Sequence, residues 1–202
     1  MATNCTKDQA RMKIAISMEM TRMLRNTWHS AINHEWYDFL QGHDIVPLSC
    51  HGALPQTDEY DLIILAGGND MHDIKTWRDN NYPLRDQYEQ QLIQQCLLTK
   101  TPVVGICRGA HFINWAFGGT HKLMDQPYDN VKVQLGDLEV TCHHTIQISS
   151  LAPGFDALLQ DSDGVIELSI NKAQRVMGIG WHPEREVNKH TRSYILDLMT
   201  KL

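Results

Sequence analysis

An apolar run that ends on a glycine-flanked cysteine constrains this chain more than any other feature. Pro102-Val103-Val104-Gly105-Ile106-Cys107-Arg108-Gly109-Ala110-His111 reads as a short buried strand, a sharp turn and the start of a helix. The Gly-x-Cys-x-Gly layout is that of a nucleophile elbow with cysteine in place of serine. Glycines flank the cysteine because the turn is tight and the backbone beside it is crowded. Such an elbow lifts Cys107 to the mouth of a sheet, where a helix N-terminus favours thiolate over thiol. The plainer alternative is a small core cysteine beside two turn glycines.

A cysteine nucleophile needs an imidazole within reach, and the imidazole needs a carboxylate to fix its tautomer. Gly180-Trp181-His182-Pro183-Glu184 offers both, with His182 just past the end of a strand-like Val176-Met177-Gly178-Ile179-Gly180. Either half alone fits a structural role. In this order, each at an expected strand end, Cys107, His182 and Glu184 read as nucleophile, base and orienter. A third expected strand, Tyr60 to Ala66, runs into Gly67-Gly68-Asn69-Asp70. This turn reads as an oxyanion hole, with the N–H groups of Gly68 and Arg108 as donors to a tetrahedral intermediate.

The 202 residues suffice for one α/β domain, expected over 12–202 after a flexible extension at 1–11. At 42% hydrophobic and 21% charged residues, the composition is that of an ordinary globular protein. A net charge of −6 gives no support for nucleic-acid or anionic-membrane binding. No apolar run is long enough to span a bilayer. The five cysteines suggest neither a disulfide framework nor a zinc knuckle, so the setting reads as reducing and cytoplasmic. No metal and no cofactor is expected.

Strands are expected at Met12–Ser17, Ile45–Leu48, Tyr60–Ala66 and Val103–Ile106, with helices at Ile32–Leu40 (closed by Gly42), Leu84–Leu98, Ala110–Phe117 and Tyr194–Leu202. Met18–Ser30 is read only as a polar stretch. Val131–Ile148 alternates like antiparallel strands, and Gly164–Ile170 with Arg175–Ile179 forms a further hairpin. Strands alternating with helices imply a mainly parallel sheet with helices on both faces and a small antiparallel extension. In such sheets sites gather at the carboxyl ends of strands, where Gly67, Cys107 and His182 all fall.

Other candidates are weaker. His143 and His144 read as substrate contacts, with one of the pair facing the cleft if they lie on an alternating strand. No metal-ligand set converges by sequence spacing. Tyr82, Arg85 and Arg108 are candidate contacts, although Arg85 fits the solvated face of its helix better. Trp28, Trp36, Trp77 and Trp115 fit packing roles. The segment from Met71 to Leu84 is placed to act as a lid.

Taken together, Gly105-Ile106-Cys107-Arg108-Gly109, Gly180-Trp181-His182-Pro183-Glu184 and Gly67-Gly68-Asn69-Asp70 resemble the class I glutamine amidotransferase superfamily. Cys-Arg-Gly and Gly118-Gly119-Thr120 resemble its γ-glutamyl hydrolase branch. The resemblance implies a flavodoxin-like fold and a Cys107-His182-Glu184 triad that cleaves a γ-glutamyl amide through a thioester. It implies Gly68 and Arg108 as oxyanion donors, Gly67 beside them, and a substrate-side segment at Thr141-Cys142-His143-His144. The chain departs from the pattern at His111, where glutamine is usual, and in lacking proline after the Gly-Gly turn. His111 therefore bears on substrate identity. Ala66-Gly67-Gly68-Asn69-Asp70 and Ile16-Ser17 resemble small bacterial hydrolases of γ-glutamyl-CDP-amidate. Three readings follow: a stand-alone hydrolase of a small γ-glutamyl substrate, a glutaminase subunit feeding ammonia to a synthetase partner, or a non-catalytic binding module. A homodimer is compatible with each.

Overall fold

The longest unbroken apolar segments of the chain become the middle of a sheet. In this computed structural model the described residues are 11–22, 27–71, 80–186 and 188–202. The expected N-terminal extension lies outside them except for Arg11, as do Trp77 and most of the expected lid. Strands β1 (Lys13–Ser17), β4 (Asp44–Leu48), β5 (Leu62–Leu65), β6 (Val103–Ile106) and β13 (Val176–Ile179) are mutually parallel. Antiparallel β12 (Ile166–Asn171) and β11 (Asp156–Gln160) extend them, giving the order β11-β12-β13-β6-β5-β1-β4. Every residue of β5, β6 and β13 is buried, as parallel strands covered on both faces require. Pro47 is tolerated because β4 is an edge strand.

Period-two alternation sends the strand side chains into two cores. Ile14, Ile16, Leu62, Ile64, Val104 and Ile106 meet Trp36 and Phe39 of α1 (Glu35–Phe39) and Ile195 and Met199 of α4 (Lys189–Thr200). Ala15, Ile63, Leu65 and Val103 meet Tyr88, Leu92, Ile93 and Cys96 of α2 (Pro83–Thr99) and Phe112 and Ile113 of α3 (Arg108–Ala116). Helices thus cover both faces, as expected. Small antiparallel pairs flank the sheet: β2 (Glu19–Arg22) with β3 (Trp28–Ala31), β8 (Val131–Leu135) with β9 (Leu138–Cys142), and β7 (Thr120–Leu123) with β10 (Ile146–Ser150).

Several expectations change. The polar stretch Met18–Ser30 contains the β2–β3 hairpin. The helix expected over Ile32–Leu40 is only the five residues of α1, capped at Leu40, with Gly42 at φ +97° in the turn beyond. Helix α3 begins at Arg108, and α4 begins at Lys189 behind an Asn188 side-chain cap.

The largest correction concerns Arg85, which is not solvated but fully buried. Its Nε donates to Glu89 Oε1 at 2.9 Å, Nη2 donates to the Ala66 carbonyl at 2.7 Å, and Nη1 donates to the Gly67 carbonyl and Asn69 Oδ1, each at 2.9 Å. Glu89 also accepts from Ser17 Oγ at 2.6 Å. Arg108 forks onto Glu89 and Asp86. Two guanidiniums and two carboxylates, all buried, therefore tie β1, the end of β5, α2 and α3 together. Burial disfavours the Glu89 carboxylate, but Arg108 and Arg85 overcome this and hold its pKa below the ordinary 4.5.

A group held ionised in this way stabilises the fold above its unfolded pKa, and the contribution is lost as pH falls through the lowered folded value. Glu89→Gln is expected to destabilise the protein by about 3–5 kcal/mol at neutral pH, since it strips compensation from two buried guanidiniums. It should also flatten the loss of stability below pH 4.5. Urea unfolding at several pH values measures both; an unchanged midpoint would contradict the assignment.

Candidate active site

Strands β5, β6 and β13 lie side by side and parallel, so their carboxyl ends deliver three segments to one edge. The first is the elbow. Cys107 has φ +51° and ψ −107°, a strained conformation for a side-chain-bearing residue. Its N–H donates to Ile179 O of β13 at 2.7 Å, and its carbonyl accepts from Ala110 and His111 in the first turn of α3. The flanking glycines allow close approach. A Cβ on Gly109 would lie 2.1 Å from Leu65 O, and one on Gly105 would lie 2.3 Å from the Gly109 carbonyl.

The second segment follows β13. Pro183-Glu184-Arg185 forms one turn of 3₁₀ helix, with proline at its start. That turn brings Glu184 back onto His182, whose Nδ1 lies 2.6 Å from Glu184 Oε1. Both residues are buried. With Nδ1 engaged, the other ring nitrogen is available to Cys107. Burial disfavours the Cys107 thiolate, but the adjacent His182 outweighs it and holds the thiol below its ordinary range. His182 is raised in turn: burial opposes its charge, and Cys107 and Glu184 more than restore it. Each of the two thus favours the charged form of the other.

The third segment, Gly67-Gly68, faces both residues. A Cβ on Gly67 would lie 2.7 Å from His182 Cε1 and 3.6 Å from Cys107 Cβ. Gly68 takes φ +106°, which favours glycine. Asn69 fixes the turn to β2, exchanging hydrogen bonds of 2.9 and 2.6 Å with the backbone of Met20.

His143 and His144 lie in the connection between β9 and β10, not on an alternating strand, and both line the pocket at Cys107. The His143 carbonyl is 3.8 Å from Cys107 Sγ, and its ring contacts Asp129 at 3.0 Å. His144 is buried, with Nδ1 2.9 Å from Ile146 O and Nε2 3.0 Å from Glu167 Oε1. Burial lowers its basicity, but Glu167 more than compensates and raises it. His111 is also buried in this pocket, and neither ring nitrogen has a hydrogen-bond partner among the described residues. Burial drives its pKa well down, with His121 and His144 adding to the effect, so the ring is neutral.

Sequence spacing missed Glu167, Asp86 and Glu89. It also missed that the fold gathers Cys142, His144 and Glu167, whose ligand-capable atoms lie within 4.8 Å of one another. Burial and Glu167 push the Cys142 thiol up, so it stays protonated beside the His144–Glu167 pair. Arg108 turns its side chain to Asp86 and Glu89, leaving only its backbone for an oxyanion role. Tyr82 stands behind Trp28, ring centroids 4.9 Å apart, and bonds His51 at 2.9 Å. Trp28 lines a groove opening onto Cys107, whereas Trp36 is core and Trp115 packs on Phe112.

Iodoacetamide should therefore alkylate Cys107 with a pH midpoint below 9.0. His182→Ala should move the midpoint upward, because the strongest charge opposing burial is then lost. Gly67→Ala should shift it part of the way by displacing the ring. Identical midpoints in all three proteins would contradict the ion pair.

The family model of Peptidase C26 matches residues 14–134 and 121–184. A γ-glutamyl-CDP-amidate hydrolase of Campylobacter jejuni is 32% identical over 61% of this chain and 62% of its own length. A glutamine-hydrolysing GMP synthase component from Saccharolobus solfataricus is 24% identical over 74% of this chain and 79% of its own. The chain spans less than two thirds of the length of three other curated relatives: 65%, 66% and 51%. A glutamine amidotransferase structure from Thermotoga maritima superimposes with TM-score 0.63 at 16% identity, covering 95% of this chain and 86% of that one, which shows a shared fold. With 14–134 and 121–184 matched, the chain belongs to Peptidase C26, within the class I glutamine amidotransferase-like proteins.

Proposed function

We propose that this protein hydrolyses a γ-glutamyl amide, with Cys107 as nucleophile, His182 as acid and base, and Glu184 as orienter. The observation that carries the reading is the buried His182–Glu184 contact of 2.6 Å beside a cysteine whose thiol is held low. The Cys107 thiolate attacks the γ-carbonyl carbon, forming a C–S bond while the carbonyl electrons move onto oxygen. The N–H groups of Gly68 and Arg108 receive that oxyanion. The C–N bond breaks as His182 gives its proton to the departing amine, leaving a γ-glutamyl thioester. His182 then takes a proton from water as hydroxide adds to the thioester. The C–S bond breaks, glutamate leaves, and the thiolate–imidazolium pair is restored.

His111, His143 and His144 border the pocket that would hold the glutamyl group. The specific substrate proposed is γ-glutamyl-CDP-amidate, as in the surface-polysaccharide phosphoramidate route. A relative at 32% identity named for that hydrolysis supports it. The chain would then act in the cytoplasm, as one domain, on a small molecule. The second reading is a glutaminase subunit delivering ammonia to a separate synthetase. The likeness to a glutamine-hydrolysing component of GMP synthase and to component 2 of an anthranilate synthase favours it.

Released glutamate is the assay. Activity on γ-glutamyl conjugates far above that on glutamine favours the hydrolase; activity on glutamine that needs an added partner favours the glutaminase. Cys107→Ala should abolish release, and Glu184→Gln should lower kcat about 10²-fold or more. The rate should follow a bell. It falls in acid as the lowered Cys107 takes up a proton, and in alkali as the raised His182 loses one. A flat profile from acid to neutral pH would count against the mechanism.

A further inference from the structure

Two recesses of different size meet at Cys107. One is a small pocket of about 40 Å³ beside His111 and Ile146. The other is a groove of about 430 Å³ that opens onto both Cys107 and His182. If the small pocket takes the acyl half, the groove lies where the departing amine must go. Ammonia fills almost none of that space.

The groove has a defined chemistry. Its wall is the β2–β3 hairpin, and the half-buried indole of Trp28 is held there by the Tyr82 ring behind it. The Arg22 guanidinium lies 5.9 Å from the centre of that indole. Arg185 also lines the groove, 44% exposed at its side chain, with Nε 3.7 Å from Glu184 Oε1. One carboxylate, Glu19, also lines the groove, but it packs against Gly68 on the side where Arg85 lies. An indole and two guanidiniums lining one groove suit a flat ring carrying anionic oxygens. Guanidinium forks match phosphate geometry, and stacking on an indole tolerates any base.

We propose that this groove is the leaving-group subsite and that it takes a nucleoside diphosphate, its base on Trp28 and its phosphates between Arg22 and Arg185. This rests on the hydrolase reading above. It adds residues that neither that reading nor the family resemblance assigns.

The test uses full-length Cys107→Ala protein, which cannot turn over, titrated calorimetrically with CDP and with inorganic pyrophosphate. CDP should bind saturably, and Arg22→Gln or Arg185→Gln should each weaken it about tenfold, as loss of one charge-assisted contact predicts. Trp28→Leu should weaken CDP but not pyrophosphate. Absence of CDP binding, or binding indifferent to all three substitutions, overturns the proposal. Glutamate release from γ-glutamyl methylamide by unmodified protein is measured alongside. Release without CDP binding removes the subsite and keeps the hydrolase; CDP binding without release keeps the subsite and removes the hydrolase.

Discussion

The site depends on a buried ionic cluster directly beneath it. Arg85, Asp86 and Glu89 on α2 and Arg108 at the start of α3 are all nearly inaccessible to solvent. Desolvating four charges is expensive, and packed apolar side chains could fill the same volume at no loss of stability. What the cluster supplies is direction. Arg85 grips the Ala66 and Gly67 carbonyls, so the peptide planes of the glycine turn have one orientation. Arg108 is anchored through Glu89 and Asp86, so the first turn of α3 has one position relative to that glycine turn. Ser17, at the end of β1, closes the cluster onto a third strand.

Above the cluster, burial and charge pull in opposite directions. Cys107, His182 and His144 are all buried, and burial disfavours the charged form of each. Neighbours offset this: His182 lowers the Cys107 thiol and is itself raised by Cys107 and Glu184, while Glu167 raises His144. His111 has no such partner among the described residues, and burial holds its pKa well down. In the proposed reaction the pocket thus offers a nucleophile, a proton carrier and one buried ring, His111, whose two nitrogens have no hydrogen-bond partner among the described residues. Cys142 lies close by, but burial and Glu167 push its thiol up, so the proposed reaction uses Cys107 and not Cys142.

What could be read from the sequence divides along a physical line. β6, the elbow and the β12–β13 hairpin were legible because each is local: an apolar run, two glycines and a turn. The meeting of Cys107 with His182 was legible because both close strands of one parallel sheet. The burial of Arg85 was not. Charged side chains are rarely buried unless paired, and the partners of Arg85 include carbonyls from another element. One hint existed, since Arg85 and Glu89 continue the stripe of Leu92, Ile93 and Cys96 along α2. The β7–β10 pair escaped notice because its halves are distant in sequence, and β2–β3 because Glu19–Arg22 and Trp28–Ala31 lack clean alternation. The gathering of Cys142 and His144 onto Glu167 is likewise tertiary.

The central claim is that a cysteine placed by these constraints carries the acyl group. Rapid acid quench during turnover of a γ-glutamyl conjugate, followed by peptide mass mapping, tests it most directly. The account predicts a transient gain of one glutamyl group on the peptide containing Cys107, absent from Cys107→Ser protein and discharged by hydroxylamine. Steady turnover with no adduct on Cys107, or an adduct on another cysteine, would contradict it.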